Sequence, residues 1–109
     1  LNFIMLPVSN QDEQIEVVAT SLNGNIPNPF NPSTTIMYDI LEPCPVTLEI
    51  FNTKGQKVRT LIDDWKNRGH HKAIFDARDD RGHSMASGIY FYRLTAGNYI
   101  RTRKMLLME

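Results

Sequence analysis

From Ile26 to Thr34 the chain reads Ile-Pro-Asn-Pro-Phe-Asn-Pro-Ser-Thr, and no other stretch restricts the fold as much. Pro27, Pro29 and Pro32 fix φ, remove three backbone donors, and push Ile26, Asn28 and Asn31 toward extended backbone. A helix cannot pass through such a segment, and neither can a central strand, whose ladder needs those donors. The expectation is a semi-rigid extended arm with one large apolar side chain, Phe30, available to dock. Such an arm is either a tether joining a small β domain to what precedes it or an ordinary Pro-rich edge connection.

Past the arm the period of the sequence is two. Thr34, Ile36, Tyr38 and Ile40 share one strand face, and Val46, Leu48 and Ile50 share another. The turn Asn52-Thr53-Lys54-Gly55 leads into a returning strand over residues 57–62. Residues 63–69 read as a polar loop holding Trp65, and Ala73 and Phe75 mark the inward face of the strand after it. Segments 89–94 and 99–107 form the strongest hairpin, joined at Gly97-Asn98. Ahead of the arm, residues 10–14 resemble linker, Ile15–Ala19 is read as a short first strand, and Asn23-Gly24 as a turn.

Nowhere do apolar residues recur at helical spacing. About seven antiparallel strands punctuated by turns every 8–12 residues predict an all-β sandwich of immunoglobulin or fibronectin-III type. In such sandwiches a tyrosine entering the penultimate strand caps upstream backbone with its hydroxyl, and Tyr90, after Ser87-Gly88, is the candidate. At 109 residues the chain divides into an upstream linker, 1–23, and one domain, 24–109. Its first residue, Leu1, suggests a piece of a longer protein.

Twelve basic residues balance twelve acidic ones, which gives no footprint for nucleic acid or an anionic membrane. Cys44 is the sole cysteine, so packing must replace a disulfide, and its flanking Pro43 and Pro45 leave it without an activating histidine. His70 and His71 are adjacent and face opposite ways on a strand, so they cannot chelate one ion from one face. No nucleophile elbow or phosphate-cradling loop is present, so neither catalysis nor a cofactor is expected. Asp76, Asp79 and Asp80 before Gly82 faintly suggest calcium, but the spacing is not that of an EF-hand. Arg78 and Arg81 neutralise the cluster, which reads instead as a solvated turn, and no metal is expected. Trp65 is the lone candidate platform for a glycan. The last strand alternates bases, Arg101, Arg103 and Lys104 among them, either to protect an exposed edge or as a recognition strip.

In order, several segments resemble one family. Asn25-Ile26-Pro27-Asn28-Pro29-Phe30-Asn31-Pro32-Ser33-Thr34 resembles the opening signature of C-terminal sorting domains of the type IX (Por) secretion system. Val46–Asn52 with Gly55, Val58–Leu61, Gly69 with His71, and Asp76–Asp79 with Gly82 follow the same pattern. Ser87–Leu94 and the closing Arg103–Leu107 complete it, while Phe75 stands where the family commonly has tryptophan. The middle also resembles the immunoglobulin-like domain of flagellar hook-capping proteins, which does not require the Pro-rich arm.

The resemblance implies an address label on a larger cargo. The cargo would cross the periplasm, be recognised by the outer-membrane translocon, and reach the cell surface or the medium. A sortase-like peptidase then commonly removes the domain, with the cut expected within residues 7–24. Pro27, Asn28, Pro29, Phe30 and Pro32 are the implied structural signature, Gly88 and Tyr90 shape the late hairpin, and Arg103, Lys104 and Met105 are the recognition candidates. The exposed terminal strand would also allow self-association between copies. The alternative is a structural spacer or assembly domain of a multidomain extracellular protein.

Overall fold

The computed structural model describes residues 16–109. Its strands are β1 (Ser21–Ile26), β2 (Thr34–Ile40), β3 (Cys44–Phe51), β4 (Lys57–Lys66), β5 (Gly69–Phe75), β6 (Gly88–Ala96) and β7 (Tyr99–Leu107). One sheet has the order β1-β2-β5 and the other β4-β3-β6-β7, with every neighbouring pair antiparallel. Facing each other, the two sheets form the predicted immunoglobulin-like sandwich.

The alternation in the sequence decides which faces meet. Ile36, Tyr38 and Ile40 from β2, Ala73 and Phe75 from β5, and Leu22 from β1 line the inside of one sheet. Val46, Leu48 and Ile50 from β3 oppose them with Tyr92 and Leu94 from β6, and Met105 and Leu107 from β7. A slip of one residue in any of these strands would turn its apolar set to solvent, so burial itself pins the register. Turn chemistry supports it. The β6–β7 ladder closes at Ala96↔Tyr99 around Gly97-Asn98, where Gly97 has φ 59°. At the β3–β4 turn the Asn52 side-chain oxygen accepts from the backbone N–H groups of Lys54 and Gln56, both at 3.0 Å.

Three expectations change. Glu16–Ala19 form no strand, while Ile15 and the linker residues 10–14 lie outside the described residues. Among the described residues the first strand starts at Ser21, and Asn23-Gly24 is part of it rather than a turn. A bulge between Leu22 and Gly24 absorbs the glycine, whose φ of 121° few other residues would adopt. Trp65 is likewise on a strand, since β4 runs on to Lys66 and pairs Pro45 with Trp65. The polar residues 63–66 hid this because β4 is an edge strand with solvated side chains, and Trp65 itself is 57% exposed.

The third change concerns the arm. It bends at residues 27–29 and again at 31–32 instead of running straight. Its aromatic side chain is not held ready for a partner but already docked inside the domain. Phe30 is 2% exposed, and its ring lies 6.1 Å from that of Phe75, tilted by 56°. We expect Phe30→Ala to destabilise the domain by about 3–5 kcal/mol, the range for emptying a buried aromatic site. Urea unfolding would measure it, and a loss below about 1 kcal/mol would show that the arm does not depend on this anchor.

Candidate functional site

The arm reaches the last strand through its backbone. Phe30 N–H donates to the Leu106 carbonyl at 3.0 Å, and Met108 N–H donates to the Phe30 carbonyl at 2.9 Å. These bonds make a single parallel bridge between Phe30 and Leu107. Asn28 adds a third, its side-chain oxygen accepting from Leu106 N–H at 3.0 Å. Proline has no N–H to give, so in this signature Phe30 and Asn28 supply the pairing while Pro29 between them holds the backbone. Two segments about 78 residues apart in sequence thus form one surface.

Beneath the arm lies a buried polar network. The Asn25 amide donates to Thr34 Oγ1 at 3.1 Å, and Thr34 Oγ1 donates to the Pro27 carbonyl at 2.7 Å. Tyr92 in β6 donates from its hydroxyl to Asn25 Oδ1 at 2.9 Å. Burial pushes the pKa of Tyr92 up against the pull of nearby Arg103, so the hydroxyl stays protonated as that donor. Both ends of the arm are therefore tied, one to the opposite sheet through Tyr92 and the other to β7. Sequence reasoning placed Asn25 and Tyr92 in matching segments without giving either a role. An amide two residues before the first proline, on a strand with little apolar content, was the available signal.

The signature residues separate by position. Pro27, Asn28, Pro29 and Pro32 are exposed, in contrast to Phe30. Gly88 opens β6 with φ 148°, a conformation that favours glycine, and pairs with Leu107. The Tyr90 hydroxyl donates to the Ala86 carbonyl at 2.7 Å, the upstream cap expected of it. Arg103 is half-buried, and its Nε donates to the Leu22 carbonyl at 2.7 Å. Leu22 N–H in turn donates to the Tyr99 hydroxyl at 3.0 Å, so two side chains of β7 clip β1. Lys104 is exposed. Met105 is 1% exposed and packs in the core, so its side chain offers nothing for a partner to touch. The even-odd alternation of β7 made this legible: Met105 shares a face with Leu107 and points inward.

The remaining polar clusters are structural. Arg59 on β4 donates to Asp76 at 2.9 Å and to the Arg78 carbonyl at 2.7 Å. Asp80 accepts from Thr60 N–H at 3.0 Å and donates its own N–H to the Val58 carbonyl at 2.9 Å. Segments 58–61 and 76–80, separate in sequence, therefore form one clamp that fastens a loop to the edge of β4. Asp79 holds the loop internally by accepting from the N–H groups of Arg81 and His83, each at 2.9 Å. Among the described residues no group of three or more His, Cys, Asp or Glu is placed to hold a metal ion. His70 meets Asp39 at 2.7 Å, whereas His71 stacks on Tyr38 with ring centres 5.3 Å apart.

The fold is an immunoglobulin-like sandwich whose arm and terminal strand are joined in one surface. Its sequence specifies the family. Residues 26–108 match the family described as the secretion system C-terminal sorting domain, and the chain belongs to that family, a sorting signal for type IX secretion. Among solved structures it is similar to the crystal structure of dimeric latent PorU from Porphyromonas gingivalis, at 18% identity and a TM-score of 0.64. That match covers 97% of this chain and 10% of the PorU chain, so this domain spans about a tenth of that protein's length, and at this identity the likeness concerns the fold. Comparison with curated proteins found no match.

Two tyrosines with opposite surroundings test the network. Tyr92→Phe leaves Asn25 Oδ1 buried without its donor and is expected to cost about 1–3 kcal/mol. The Tyr38 hydroxyl is buried with no hydrogen-bond partner among the described residues, so Tyr38→Phe should cost less than about 0.5 kcal/mol. Equal losses in denaturant unfolding would dismiss the network. The loop clamp predicts an acid response. Burial pushes the Asp76 carboxyl up, but the hydrogen bond and charge of Arg59, with two backbone N–H groups, outweigh it and hold the carboxyl below its ordinary value of 3.8. A lowered folded-state pKa gives stability that is present above about pH 4 and lost as pH falls through the folded value. Asp76→Asn should therefore destabilise at neutral pH, by less than about 1 kcal/mol because Asp76 is exposed, and the difference from the parent should shrink as pH falls below 3.8 and vanish once it passes the folded-state value.

Proposed function

We propose that the domain is read as a folded shape by the outer-membrane translocon of type IX secretion, and that it works by recognition rather than catalysis. The observation that carries this reading is the union of the Pro-rich arm with the end of β7 through Phe30, Leu106 and Met108. A segment fixed in this way presents its contours without the ordering cost that a floppy signal would pay on binding. Pro27, Asn28, Pro29 and Pro32 on the arm and Lys104 on β7 are the accessible signature residues, with Arg103 at the margin of the same surface. Met105, Phe30, Gly88 and Tyr90 act by shaping that surface.

Export would take the cargo through the periplasm to the cell surface or the medium. A sortase-like peptidase would cut ahead of β1, because from Ser21 to Ile26 the backbone is engaged in a sheet.

A reporter carrying an inner-membrane export signal, fused to this chain in a host with this route, tests the reading. The fusion should reach the surface or medium, whereas the same reporter fused to a fibronectin-type sandwich without the arm should stay in the periplasm. Delivery of both, or of neither, would count against a sorting role and favour a spacer. Removing residues 100–109 is a poorer test, since it also takes Met105 and Leu107 out of the core.

A further inference from the structure

We infer that the stretch of β7 from Ile100 to Lys104 takes up an extended acidic peptide as an added strand, with the carboxylates of the peptide set against Arg101 and Lys104. The inference rests on the sorting role proposed above and names the chemistry of the partner. The direction of the backbone is the first argument. Leu106 turns its N–H and its carbonyl away from β6, since Asn28 accepts from the one and Phe30 donates to the other, both at 3.0 Å. Alternate residues of a strand point the same way, so Lys104, Thr102 and Ile100 also direct their main-chain groups away from β6. β7 is the last strand of its sheet, and among the described residues nothing pairs with these groups. The arm closes the edge at residues 106–108 and leaves the rest open.

Charge is the second argument. The chain as a whole is neutral, yet Arg101, Arg103 and Lys104 stand together on this edge. Arg101 and Lys104 are exposed and have no carboxylate partner among the described residues, and Arg103 binds a carbonyl rather than an acid. Beside them runs a cleft of about 330 Å³ bordered by Asn25, Asn28, Thr102 and the three cations. A peptide strand would satisfy the open main-chain groups, and acidic side chains would neutralise the strip. A second copy of β7 is the wrong occupant, because it would bring the same cations against each other. Another exposed cleft of mixed character, about 260 Å³ between Phe51 and Phe91, lacks this charge argument. There Arg93 already pairs with Glu49 at 3.3 Å and covers the Phe51 ring at 4.5 Å.

Titration of the chain with a decapeptide of repeating Glu-Glu-Val-Val, which carries carboxylates on both faces and three residues apart as Arg101 and Lys104 stand, against a Lys-Lys-Val-Val peptide of equal length, tests this by amide NMR and hydrogen exchange. The glutamate peptide should slow exchange at the N–H groups of Thr102 and Lys104, and its affinity should fall as salt rises. Arg101→Glu combined with Lys104→Glu should weaken it about tenfold or more, with the thermal midpoint near that of the parent because both side chains are exposed. Thr102→Pro keeps the charges and removes one outward N–H at an edge position where proline is tolerated, and it should also abolish the protection. Equal binding of the lysine peptide, no binding at all, or protection confined to other strands would overturn the inference. So would the same shifts with inorganic phosphate, or a dimer that protects these amides without peptide. The titration reads the edge alone and the reporter assay reads sorting alone, so either can fail without the other.

Discussion

Proline takes hydrogen-bond donors out of the arm, and the rest of the surface follows from how the chain answers that loss. With Pro27, Pro29 and Pro32 unable to donate, the segment cannot pair along its length with any strand. It pairs at one residue instead. Phe30 gives its N–H to Leu106 and takes one from Met108, while its ring fills the sandwich beside Phe75. Side chains do what the backbone cannot: Asn28 serves Leu106, and Asn25 with Thr34 serves the carbonyl of Pro27. The arm is held by a few specific bonds and one buried ring, so its course over the domain is fixed even though it has no regular structure.

The same economy of contacts recurs at the opposite edge. There Arg59 and Asp80 fasten the loop after β5 to β4. Both outer strands of the four-stranded sheet are thus covered in part by irregular segments, the one by the arm and the other by the loop. Partial covering limits indiscriminate pairing of edges while leaving a chosen stretch open. The sandwich behind them holds both edges in place.

Much of the fold was legible because burial forces a period of two. The inward sets of β2, β3 and β5 could be named from alternation alone, and the late hairpin from Gly97-Asn98 between two strand-like runs. Alternation fails where a strand has few apolar residues. β1, Ser-Leu-Asn-Gly-Asn-Ile, carries little pattern and a bulge, and it is held by Tyr99 and Arg103 from β7, which no local window contains. The second half of β4 was hidden for a related reason, since Asp63, Asp64 and Trp65 face water on an edge. At the surface, residue types were informative but their orientation was not. Lys104 and Met105 are neighbours in the sequence, yet one is exposed and the other is core, and a segment match treats them alike.

The bond between Met108 and Phe30 has a bearing on timing. The arm is synthesised early in the domain, but its anchor points in Leu106 and Met108 follow about 78 residues later. A chain broken off before that point lacks the groups that hold the arm in place, along with the last inward side chains of β7. The completed shape therefore requires translation through Met108.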